Sequence, residues 1–187
     1  MADPPCFTDH FLIAMPALED PHFHRTVTLV CQHDANGAMG IVINRAADGT
    51  LGELLDQLQL PTRDEELARR AVVAGGPVHP DRGFVLHDDP RDWGSTLRFG
   101  RGLAVTTSRD ILAAMAAGEG PGRALVALGY AGWTAGQLEN ELAQNSWLTV
   151  QSDQAIVFDT PLEDRWHAAA RALGVDLSRL ADYAGHS

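Results

Sequence analysis

Residues 123–148 read RALVALGYAGWTAGQLENELAQNSWL, and the way this stretch divides sets the fold. Its first part, 123–131, is a β-forming apolar run that reads as a strand. Gly132-Trp133 reads as a turn. Thr134 with Gln137 has capping-box spacing, which predicts a helix over 135–145. Leu138 and Leu142 share the inward face of that helix, and Gln137, Glu141 and Gln144 lie on another flank. A helix that starts where a strand ends is a common ligand-binding joint, so Trp133 and Gln137 are candidate site residues. Structure alone also accounts for the joint: Gln137 serves as a capping partner, and Glu139 and Glu141 read as a solvated face.

Working outward, 11–15, 26–32 and 39–44 read as strands, the last two joined through HDANGA with a turn at Asn36-Gly37. Further strands are expected at 71–74, 83–87, 95–99, 103–107, 147–151 and 155–159. Three more capping boxes, Thr50/Glu53, Thr107/Asp110 and Thr160/Glu163, predict helices over 51–59, 109–117 and 161–173. Shorter helices are expected at 64–70 and 177–183. Helices follow only some of the strands, so a mixed sheet with helices packed on it fits better than regular βαβ alternation. With 187 residues and 45% hydrophobic content, the chain is expected to form one domain over 1–187.

All 14 basic side chains are arginine, and 25 acidic residues set the formal charge at −11. Such a chain repels phosphate over most of its surface, which argues against direct nucleic-acid binding. The amino-terminal stretch lacks the pattern of a signal peptide, and no run is apolar enough to span a membrane. Cys6 and Cys31 make no disulfide framework. A cytoplasmic protein is the expectation. Without lysine there is no phosphate-binding Walker loop, and no HExxH, GxSxG, CxxC or SxxK pattern occurs. No cofactor and no metal are expected.

Three constellations carry candidate chemistry. Cys31-Gln32-His33 invites a thiolate or metal reading, but Cys31 keeps the phase of Val27 and Leu29 and reads as a buried core residue. Antiparallel pairing should bring Arg25 to Asn44 and Arg45, where two guanidiniums and an amide could grip a carboxylate or phosphate. Alternatively they are solvated, or paired with Glu19 and Asp20. In VVAGGPVHPDRGFVLHD, 72–88, Gly75 and Gly76 can leave a strand through an anion-binding nest, with Arg82 and His87 within reach; a plain turn is the competing reading.

Taken in order, FLIAMPALEDPHFHRTVTLVCQHDANGAMGIVINR, GGPV followed by RGFVLH, and GPGRALVALGYAGWTAGQLENELAQNSWL resemble the AlgH/YqgE family of bacterial proteins, from about Phe7 to His186. The resemblance implies an α/β fold with a branched mixed sheet flanked by helices. Members are called transcriptional regulators, a name tied to control of alginate production. By motif, the characteristic positions are Asn44, Arg45, Gly75, Gly76, Arg82, Gly83, Gly129, Trp133, Gln137 and Glu141. The combined expectation is a regulatory or binding protein that acts through a small anion or a protein partner. The alternative is an enzyme, a hydrolase or transferase, with a polar crevice at strand ends.

Overall fold

A computed structural model describes residues 5–18 and 20–176. The strands are β1 (His10–Ala14), β2 (Val27–Asp34), β3 (Gly37–Val42), β4 (Ala46–Thr50), β5 (Ala71–Ala74), β6 (Val78–His87), β7 (Thr96–Phe99), β8 (Leu103–Thr106), β9 (Ala124–Thr134) and β10 (Trp147–Gln151). The helices are α1 (Leu51–Gln57), α2 (Glu65–Ala68), α3 (Arg109–Ala116), α4 (Gln137–Ala143), α5 (Gln154–Phe158) and α6 (Arg165–Leu173), the last entered through a 3₁₀ turn at Leu162–Asp164. The helix expected at 177–183 lies outside the described residues.

The sheet is mixed and branched, as the resemblance implies. Its main order is β10-β1-β2-β3-β9-β6-β8-β7, with β5 and β4 off that path. The branch lies on β9. One edge pairs with β6 along Ala124–Tyr130; the other pairs in parallel with β5 at Ala127 and Leu128, then antiparallel with β3 from Ala131 to Thr134. The partner changes at Gly129, where φ is +80°. A Cβ there would stand 2.4 Å from the carbonyl oxygen of Gly76, and one on Gly76 would stand 2.1 Å from the Tyr130 carbonyl carbon. Only two glycines let the backbones pass this closely.

β9 is therefore one continuous strand through the Gly132-Trp133 turn expected from sequence. Its side chains are buried on both faces: Leu125 and Ala127 join the largest apolar cluster, and Val126 joins another. The largest cluster holds Phe11 and Ile13 of β1 together with Phe99 of β7 and Leu103 of β8, although these strands lie near opposite ends of the strand order. The sheet must curl to bring them together. Ile156, Val157, Trp166 and Ala169 of α5 and α6 join the same core. α1, α2 and α3 cover Val85 and Val126 on an outer face; Leu138 of α4 packs with Leu12, Val30 and Trp133 on another. Each cluster removes many apolar side chains from water, at roughly 25 cal/mol per Å² of buried apolar area.

The Asp9 carboxylate joins strands from the two ends of the curl. It accepts from the Arg101 N–H (3.3 Å) in the β7–β8 turn, from Gln151 Nε2 (3.1 Å) at the end of β10, and from the Ser152 hydroxyl. Asp9 is 5% exposed and holds φ at +63°. Three donors offset the desolvation of its charge.

Local differences from the sequence reading have physical causes. The β2–β3 loop is Ala35-Asn36, because Asp34 already pairs with Gly37. Gly37 holds φ at +137°, and a Cβ on it would also come 2.2 Å from the Trp133 carbonyl oxygen. The strand expected at 155–159 is instead helix α5, capped by Asp153 through the Ala155 N–H; its short apolar run does not distinguish the two by periodicity. β4 has no apolar pattern and is held by pairing to β5. Thr50 caps α1 as expected, through the Glu53 N–H at 3.4 Å. Thr107 and Thr160 do not cap. The N-cap of α3 is Ser108, which makes no side-chain cap bond, and the Thr160 hydroxyl donates to Ala155 O.

Candidate functional site

Between Val78 and Gly83, β6 leaves its register with β9: Val78 faces Tyr130 and Gly83 faces Leu128. The intervening residues, His79-Pro80-Asp81-Arg82, arch away from the sheet, with His79 at φ +47°. Bulges of this kind re-aim side chains. Here the arch places His79 and Arg82 at the rim of an open cleft of about 690 Å³, within the range of small-molecule sites. Met39, Phe84, Val105 and Tyr130 supply its apolar surface, and Gln32, Trp133 and Thr134 also line it. The Tyr130 ring lies 6.1 Å from His79 and 5.5 Å from Phe84, and the Arg82 guanidinium lies 5.8 Å from the Phe84 ring centroid. Among the described residues, the side chains of Gln32, His79, Arg82 and Tyr130 have no hydrogen-bond partner. No Asp or Glu is among the lining residues.

Of the residues singled out from sequence, the cleft collects Arg82 and Trp133 only. Arg25, Asn44 and Arg45 do meet, but to hold backbone. Asn44 accepts the Val27 N–H at 2.8 Å and donates to Arg25 O at 2.9 Å. Arg45 donates to the carbonyls of Pro21, His22 and His24 at 2.9, 2.7 and 3.0 Å. The Arg25 guanidinium lies 5.4 Å from the Trp166 ring centroid. Gly75 does not form an open nest: its N–H donates to Leu128 O at 2.7 Å and its carbonyl accepts from Val42 at 2.9 Å. Gly76 is the backbone crossing point described above.

Gln137 works as a cap partner, its Oε1 accepting the Thr134 N–H at 3.0 Å, although the residue preceding α4 is Gly136. Glu139 and Glu141 are not a free solvated face. Glu139 accepts from His33 Nε2, while His33 Nδ1 accepts the Phe7 N–H at 3.0 Å, which assigns the imidazole tautomer. That hydrogen bond holds the Glu139 carboxyl below its ordinary range. Glu141 accepts from the indoles of Trp133 and Trp147.

His87 is fully buried and does not line the cleft, its Nδ1 accepting the Asp89 N–H and its Nε2 bonded to Thr106 Oγ1 at 2.8 Å. Burial pushes its pKa down. A hydrogen bond from Arg91 holds Asp89 down to about 2. Burial, helped by Asp9, pushes the Cys31 thiol far above the range in which it could ionise. Among the described residues no group of three or more His, Cys, Asp or Glu side chains is placed to hold a metal ion. No described helix is long and apolar enough to cross a membrane.

His79, Tyr130 and Gln32 are the cleft residues that sequence reasoning missed. The available signal was the polar His-Pro-Asp-Arg interruption between Val78 and Phe84, which breaks a strand pattern without supplying a complete turn.

A curled, branched mixed sheet with helices on its outer faces and a carboxylate-free cleft in its surface defines an α+β protein of one specific architecture. The chain belongs to the AlgH-like family, whose model matches residues 11–178. It is 61% identical to a UPF0301 protein of Xanthomonas axonopodis pv. citri and 60% identical to one of Xanthomonas campestris pv. campestris, each over 184 residues and 98% of both chains. The solution structure of AlgH from Pseudomonas aeruginosa superposes with a TM-score of 0.80 at 49% identity, covering 100% of this chain and 99% of that one. Protein DIP2367 of Corynebacterium diphtheriae, at 18% identity and a TM-score of 0.72 over 97% and 94% of the two chains, shares the fold.

Proposed function

We propose that the protein binds a small anion with an apolar or aromatic body in the cleft beneath the β6 arch, and that any regulatory role is exercised through that ligand rather than by contact with DNA. One observation carries the reading. In a chain of formal charge −11, the cleft is lined by Arg82 and His79 and by no carboxylate. A guanidinium without a partner can hold a carboxylate in bidentate fashion, while the half-buried Tyr130 ring, backed by Phe84, can contact the remainder of the ligand.

The test is an NMR titration with benzoate and acetate. Benzoate should produce saturable shifts at Arg82, Tyr130 and the Trp133 indole, with acetate weaker. Arg82→Gln should weaken benzoate by about tenfold, as for one lost charge-assisted hydrogen bond. Saturable shifts that avoid these residues, or none at all, would refute the assignment.

A further inference from the structure

Arg165, at the first turn of α6, is 5% exposed, yet no described carboxylate lies within ion-pairing distance of its guanidinium. Its Nε donates to Thr160 O at 2.9 Å and its Nη1 to Ile43 O. Nη2 has no hydrogen-bond partner among the described residues. Burial pushes the group down to about 10, against the charge of Glu163. Buried charges are ordinarily paired, because a lone one keeps its desolvation penalty without a Coulombic return.

This arginine lines a cavity of about 370 Å³, between the start of β9, the end of α5 and the start of α6, which it shares with Arg70 and Arg123. Arg123 is ion-paired with Asp159, which also lines the cavity, and its guanidinium lies 5.9 Å from the Phe158 ring centroid. The Arg70 side chain is exposed and has no partner among the described residues. Three arginines thus line the cavity with a single carboxylate, and neither Arg70 nor Arg165 has an ion pair among the described residues. Leu125, Phe158 and Leu162 supply apolar lining.

We propose that this cavity is a phosphate-group site, separate from the cleft beneath the β6 arch. A dianionic phosphate can pair with Arg70 and Arg165, and its oxygens match the donor fork of arginine. The phosphate can be free or carried as a monoester, whose organic part would contact Phe158 and Leu162.

The experiment is titration of the full-length protein at pH 7.5 with inorganic phosphate and with phenyl phosphate, followed by amide NMR, with chloride at matched ionic strength as reference. Phosphate should give saturable shifts at residues 123–125 and 158–165. Arg70→Gln and Arg123→Gln should each weaken it by about tenfold or more, the second also because it frees Asp159. Arg63→Gln, the same charge change elsewhere, should leave the titration unaltered. Arg165 also supports β3, so the Arg70 and Arg123 variants carry the test. Tighter phenyl phosphate identifies a monoester site; equal affinity identifies free phosphate. Chloride shifting the same amides to the same extent, or Arg70 and Arg123 variants that bind like wild type, would overturn the proposal.

Discussion

Trp133 and Trp147 donate their indole N–H groups to the same oxygen of Glu141, at 3.2 and 3.1 Å. Their rings meet edge-on at 6.3 Å, and Phe23 packs on both. One carboxylate oxygen on α4 thereby fixes the end of β9 relative to the start of β10. Glu141→Leu should leave two nearly buried donors without an acceptor and lower stability by about 2–4 kcal/mol. Glu141→Gln keeps an acceptor and should cost far less. Urea denaturation of the two variants checks this; equal losses would show that the shared acceptor is immaterial.

Arg45→Lys preserves charge but cannot reproduce three hydrogen bonds to the carbonyls of Pro21, His22 and His24. The expected outcome is a stability loss of about 1–2 kcal/mol and faster amide exchange in residues 22–26, with benzoate binding unaltered. If benzoate binding fell while exchange stayed slow, Arg45 would be a ligand residue after all.

The two cysteines should separate cleanly. Cys6 is exposed and Cys31 is 1% exposed, with its thiol pushed far up by burial. A thiol reagent at pH 8 should label one cysteine per native chain, and the second only after unfolding. Rapid labelling of both in the native protein would contradict the packing of Cys31.

His87 predicts how stability responds to acid. Its folded pKa lies below the ordinary 6.5, so the native state resists the proton that the unfolded chain accepts. Stability is therefore complete above about pH 6.5 and falls as pH drops below it. Asp89 acts in a lower window. Its pKa is depressed to about 2 from 3.8, so its contribution is present above 3.8 and lost as pH falls toward 2. Urea midpoints should be level from pH 8 to 7 and decline from 6.5 to 5, and His87→Gln should flatten that decline. A variant with the wild-type slope across that window would remove His87 as its cause.

What the sequence alone determined were properties carried by neighbouring residues. Apolar period marked most strands, Thr50 marked the start of α1, and the phase of Cys31 with Val27 and Leu29 placed it in the core, where it is found. Local signals failed where two conformations shared one pattern, as at residues 154–158, and where partners arrived from distant sequence, as for β4. Only the tertiary structure decided which polar groups remain available. Asn44, Arg45, Gly75 and Gln137 carry the residue types of a site, but each already makes hydrogen bonds to backbone groups. Arg82 and His79 keep theirs free because β6 arches away from β9 between Val78 and Gly83. Arg165 lies buried without an ion pair among the described residues because α6 packs into the curl of the sheet. Spacing along a chain records what a residue could donate; whether another part of the chain has already accepted it is fixed only when the chain has folded.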